Sequence, residues 1–162
     1  MHLKTLVALV LAVFVVFGAT AVGAQAPPPY GLPISLDQAK KAMASAEAEA
    51  RKNNWSVVIT IVDSGGNVVM LQRLDNTQFG SIEVARSKAY TAVAFRRPTK
   101  VFQDLVGHGG ANLRLLKLEG ASVLEGGVPI VVDGKIIGAI GVSGVTSQQD
   151  AQIATAGADA LK

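Results

Sequence analysis

The sequence predicts an α+β domain in which helices pack on an antiparallel sheet. Two short β-branched runs flank a Gly-Gly turn, and a second pair flanks Asp133-Gly134, so two hairpins are expected. Segments with apolar residues at helical spacing precede, separate and follow those hairpins. The order helix, hairpin, helices, hairpin, helix supplies antiparallel strand pairs and apolar helix faces to cover them.

The 162-residue chain is 49% hydrophobic and 17% charged, with a formal net charge of +3 and no cysteine. This composition excludes a disordered chain, and the length allows one domain with a short appendage. The missing cysteine excludes disulfides, thiolate metal sites, thiol nucleophiles and a lipidated-cysteine anchor. No Lys/Arg run exceeds two residues, so no nucleic-acid partner is expected.

His2 and Lys4 make a polar, basic start, followed by twelve apolar residues from Leu6 to Phe17 and then small residues. That is the pattern of a secretory signal peptide. Cleavage after Ala24 competes with cleavage after Ala26, and Pro27 directly behind the second bond favours Ala24. An uncleaved membrane anchor is the other reading, but Gly18, Thr20 and Gly23 interrupt the stretch. The expected organisation is a signal peptide over 1–24, a proline-rich leader over 25–34 and the domain over 35–162. The protein is then exported, periplasmic or secreted, with no stable membrane span after cleavage. Removing residues 1–24 leaves 14 Lys/Arg against 12 Asp/Glu, so the remaining chain is nearly charge-balanced.

Within the domain, Ser35 answered by Gln38 forms a capping box that opens a helix with Leu36, Ala39, Ala42, Met43, Ala46 and Ala50 on one face. Asn53 and Asn54 close it. Val57 to Val62 and Val68 to Leu71 form the first hairpin across Asp63-Ser64-Gly65-Gly66-Asn67. A second helix spans about Ser81 to Phe95 with Ile82, Ala85, Ala89, Ala92 and Val93 inward, and Pro98 ends it. A shorter amphipathic piece covers Thr99 to Val106. Residues 111–127 read as a helical or irregular piece and then a brief strand near Ala121 to Leu124. Val128 to Asp133 and Lys135 to Val142 form the second hairpin. The last helix begins at Thr146 or Ser147 and carries Ile153, Ala154, Gly157, Ala160 and Leu161 on one face. Gly138, Gly141 and Gly144 follow a hairpin strand, so they mark close backbone approach and not a dinucleotide fingerprint.

Few residues suggest chemistry. His108 is the single histidine after cleavage, a candidate haem-iron ligand or general base, or simply a surface loop residue. Lys88, Arg96, Arg97 and Lys100 lie around the end of the second helix. There they can favour the helix dipole or clamp carboxylates such as haem propionates or an organic acid. Tyr90, Thr91 and Thr99 offer oxygen donors, and a Tyr90 phenolate is the hard anionic one. Met43 and Met70 read as core. The loop Ser143 to Ser147 enters a helix N-terminus whose amides can hold an anion, although Thr146 and Gln149 also make a plain capping box. No carboxylate pair or nucleophile elbow stands out.

Two segments carry a resemblance. The first runs from Leu74-Asp75-Asn76 through Ser81-Ile82-Glu83-Val84-Ala85-Arg86-Ser87-Lys88-Ala89-Tyr90-Thr91 to Arg96-Arg97-Pro98-Thr99. The second is Gly126-Gly127-Val128-Pro129-Ile130, Asp133-Gly134-Lys135-Ile136-Ile137-Gly138-Ala139-Ile140-Gly141-Val142-Ser143-Gly144, then Gln149-Asp150 and Ile153-Ala154. Over about residues 35–161 the chain resembles the GlcG/HbpS family of haem-binding or haem-degrading domains, which includes the C-terminal domain of PduO-type proteins. The resemblance implies a profilin-like α/β/α arrangement around a five-stranded antiparallel sheet and a homo-oligomer. It also implies haem or a related tetrapyrrole as cofactor, with threonine in the Lys88 to Thr99 region carried over toward the ligand. Val145 departs from the family pattern, which has a further small residue there.

The expectation is an exported haem-binding protein for haem capture, degradation or redox sensing. Thr91, Tyr90 or His108 would lie near iron, with Lys88, Arg96 and Arg97 near propionates and Thr99 lining the site. The alternative is a small-molecule enzyme or accessory protein acting on a carboxylated or quinone-like metabolite.

Overall fold

Local signals start most of the elements. The structure, a computed structural model, describes residues 26–162, so the expected signal peptide lies outside the described residues. Helix α1 (Leu36–Lys52) begins at a reciprocal capping box: Ser35 Oγ accepts from the Gln38 amide, and Gln38 Oε1 accepts from the Ser35 amide. Its predicted stripe of Ala39, Ala42, Met43, Ala46 and Ala50 is buried, whereas Leu36 in the first turn stays exposed. Strands β1 (Val58–Asp63) and β2 (Val68–Arg73) form the first hairpin. Helix α2 (Ser81–Ala94), helix α3 (Lys100–Gly107) and a 3₁₀ helix (Gly110–Lys117) come next. Strands β3 (Gly127–Val132) and β4 (Lys135–Ser143) form the second hairpin, and α4 (Ser147–Asp159) starts at the Thr146–Gln149 capping box.

The sheet is antiparallel with strand order β2-β1-β4-β3. Alternation along β1 sends Val57, Ile59 and Ile61 toward the cluster containing α1 and α4, and Val62 toward Ala89, Ala92 and Val93 of α2. Helices therefore cover both faces, and each fully buried Ile or Val contributes roughly 1.5–3 kcal/mol. On β4, Ile137 joins the α1/α4 cluster while its neighbour Ile136 joins the α2 cluster. A register shift between Ile130 and Val131 places an extra β4 residue there, and this bulge resets which face follows. Gly141 lets α2 lie directly on β4, since a Cβ there would collide with the Ala85 carbonyl and the Ala89 amide.

The five-stranded expectation is corrected: the sheet has four strands among the described residues. The stretch Ala121 to Leu124, expected as a brief strand, is irregular. Its amides go to a backbone turn and to side chains and not to a ladder: Ala121 N donates to Leu118 O at 3.3 Å. Ser122 N donates to Thr91 Oγ1 (2.7 Å), Leu124 N to Ser122 Oγ (3.3 Å), and Glu125 N to Gln103 Oε1 (2.9 Å).

The proline-rich leader is fastened to the domain. Ile136 N donates to Pro29 O, Gly31 N to Ile136 O and Ile34 N to Ile137 O, each at 2.8 Å. These bonds continue the β4 edge beyond Gly138, the last residue that β1 pairs. Ile34 is buried in the core.

Candidate functional site

Helix α2 sorts the candidate residues by its own periodicity. Ala85, Lys88, Ala89 and Ala92 face inward, whereas Glu83, Arg86 and Tyr90 lie along one outer face at spacings of three and four. Tyr90 is 44% exposed. Its ring rests against Gly66, at φ +85°, where an added Cβ would approach Cδ2 and Cε2 to 2.9 and 3.0 Å. Gly120 closes the other side. Gly66, Glu83, Arg86, Ser87, Tyr90 and Gly120 line an open groove of about 340 Å³. Among the described residues Arg86 is held only by an exposed 3.4 Å contact with Glu83, so it remains able to turn toward an anion.

Lys88 is not part of this groove. It is 1% exposed, and its Nζ donates to Asp150 Oδ2 at 2.7 Å and to Val142 O at 3.0 Å. The expected contact with propionates is thereby corrected, because the ammonium is sealed in an internal ion pair joining α2, β4 and α4. Burial pushes the Asp150 carboxyl above the usual aspartate range, against the pull of Lys88 and the Val145 and Gly144 amides. Asp150 Oδ1 also accepts from Val145 N at 3.3 Å. The loop that could have held an external anion is thus supplied with an internal carboxylate.

Both threonines are likewise committed. Thr91, fully buried, donates to Ser87 O at 2.7 Å and accepts from Ser122 N at 2.7 Å. Thr99 is buried and accepts from Gly127 N at 2.9 Å. Each pins the loop before β3 to the helices, and neither offers a hydroxyl to the surface. As direct iron ligands they are displaced by this bonding.

His108 is exposed at the C-terminus of α3 and does not line the Tyr90 groove. Its Nδ1 lies 2.6 Å from Asp104 O. A carbonyl only accepts, so Nδ1 carries a proton, and Nε2 has no hydrogen-bond partner among the described residues. Arg97 is exposed and donates from Nε to Phe95 O at 3.0 Å. Arg96 stands over the Tyr30 ring, 5.7 Å from its centroid, beside a different pocket. The structure therefore brings Tyr90 together with Arg86, keeps Arg96, Arg97 and His108 outside that groove, and buries Lys88, Thr91 and Thr99. No group of three His, Cys, Asp or Glu is arranged to hold a metal ion among the described residues.

Arg86 escaped the sequence reading although it sits one turn before Tyr90, a spacing that was legible. The Lys88–Asp150 pair had no local signal, because its halves are 62 residues apart.

Comparison with known proteins agrees with this architecture. A sequence model of the family described as "Haem degrading protein HbpS-like" matches residues 34–159. Protein GlcG of Escherichia coli K12 is 44% identical over 110 residues, covering 68% of this chain and 81% of that protein. A crystal structure of a double mutant of HbpS from Streptomyces reticuli superposes with a TM-score of 0.74 and 30% identity, over 89% of this chain and 98% of that one. A crystal structure described as a PduOC:heme complex superposes with a TM-score of 0.73 and 29% identity, over 81% and 96%.

Proposed function

We propose that this chain, which belongs to the HbpS-like family, binds haem at the Tyr90 groove. The observation that carries the reading is an exposed phenol between two glycine-bearing loops with a guanidinium one turn away. These residues fit the group: the groove is open enough to take the edge or face of a flat ring, and a phenolate is a hard donor for ferric iron. Tyr90 would hold the iron through its phenol oxygen, and Arg86 would hold a propionate. His108 is the second candidate ligand, through its Nε2. Bound haem would supply a redox-active iron. The haem complex of a relative and the family description support haem as the ligand.

The finer reading is an exported haem-capture protein that assembles with copies of itself. An open groove on the surface suits uptake and release of a ligand. Titrating purified protein with hemin tests the binding. A saturable, shifted Soret band is expected, and Tyr90→Phe should weaken binding roughly tenfold or more and alter the ferric charge-transfer band. Absorbance that simply tracks free hemin overturns the reading. A mature N-terminus at Gln25 in the exported fraction tests the signal peptide.

A further inference from the structure

Independently of haem, we propose a second binding site, for a small amphipathic monocarboxylate, in the pocket beside Arg96. Its apolar wall comes from Pro28 of the leader, Pro98, Val128, Pro129, Val131, Ile136 and Ala158, around an opening of about 280 Å³. None of these residues lines the Tyr90 groove. The volume is at the small end for ligand pockets, which suits a single ring or a short chain.

Arg96 gives the pocket its polarity. Its φ of +53° is the left-handed conformation that closes α2, with Arg96 N donating to Val93 O and Arg97 N to Ala92 O, each at 3.2 Å. Tyr30 orients the side chain: the guanidinium stands over its ring, 5.7 Å from the centroid, while the Tyr30 Oη donates to Val93 O at 2.9 Å and to Ala94 O at 3.2 Å. The leader and the end of α2 together fix a cation at the rim of an apolar cavity. Arg96 makes no ion pair among the described residues. The other charges on the lining, Asp159 and Lys162, neutralise each other at 2.6 Å. Among the lining side chains, Arg96 is then the one cation without an ion pair, above a hydrophobic wall, the complement of a carboxylate on an apolar body.

The outer edge of β3 also runs through this pocket. Pro129 removes a donor in the middle of that strand, which counts against an added peptide strand as the occupant.

Benzoate and hexanoate are the probes, with benzamide as the uncharged control, followed by calorimetry or by NMR shifts of the purified protein. Saturable binding of both acids below about 10 mM is expected, with benzamide at least roughly tenfold weaker. Arg96→Asn removes the charge while tolerating the left-handed backbone, and should weaken acid binding roughly tenfold or more. Thr155→Trp, at an exposed lining position, should block the pocket without touching the core. Arg97→Gln should leave binding unchanged. No saturation, equal binding of benzamide, or acid binding indifferent to Arg96→Asn each overturns the site. Hemin titration of the same variants keeps the two sites distinguishable, because Arg96→Asn should leave the Soret response intact.

Discussion

Lys88 and Asp150 show how a single residue's role can reverse between sequence and structure. Read along the chain, Lys88 is one cation of a cluster suited to anions. In the fold it is buried 2.7 Å from a carboxylate that is itself almost wholly buried. Taking two charges out of water is unfavourable, and only their proximity, the Val142 carbonyl and the Val145 amide offset it. Removing one partner strands the other. Lys88→Met should therefore lower unfolding stability by about 3–5 kcal/mol, and adding Asp150→Asn should restore part of that loss. Urea denaturation of the single and double variants measures both. A neutral single variant would mean that the pair contributes no net stability. Thr91 makes a gentler case of the same lesson: a hydroxyl that looked available is saturated by Ser87 and Ser122. Tyr90 and Arg86 escape such use because they point away from the sheet.

At the scale of elements, the parts written in local chemistry were legible and those written in distant contacts were not. Both capping boxes and both hairpins follow from residues within a few positions of one another. The expected strand near Ala121 failed because partners on α2 and α3, remote in sequence, take its amides. Of the candidate site, Tyr90 was readable from the oxygen chemistry of a single side chain. The groove around it needs Gly66 and Gly120, which only folding brings close.

The first hairpin turn illustrates the local kind and can be tested by pH. Burial raises the Asp63 carboxyl, but its bonds from the Asn67 and Gly65 amides (2.9 and 2.8 Å) outweigh that and hold it below the usual aspartate value. A depressed folded value means the charged form stabilises the fold above the unfolded value, near 3.9, and loses that contribution as pH falls through the folded one. The stability advantage of the native chain over Asp63→Asn should hold from neutral pH to about 5 and shrink below it. Denaturant midpoints across that range provide the check. An advantage that grew on acidification would contradict the turn's electrostatics.

For the whole molecule, the segment from α3 to the loop before β3 is the part least accounted for by its own fold. The 3₁₀ helix buries none of its residues, and Leu105, Leu113, Leu116, Leu118 and Leu124 are all exposed. An apolar surface of this kind is normally covered by another molecule. Light scattering should accordingly give a mass that is a multiple of the monomer, and Leu116→Glu should reduce it. A monomer at working concentrations would exclude self-association as the cover. The leader sets a different constraint, on timing. Residues 29–34 leave the ribosome early, yet the carbonyls and amides they bind belong to Ile136 and Ile137, and Tyr30 waits for the end of α2. The chain cannot close its sheet edge or seat its rim arginine until almost all of it has been made. An incomplete chain would therefore keep a loose N-terminus, so the ordering of that tail can report when synthesis and folding have both finished.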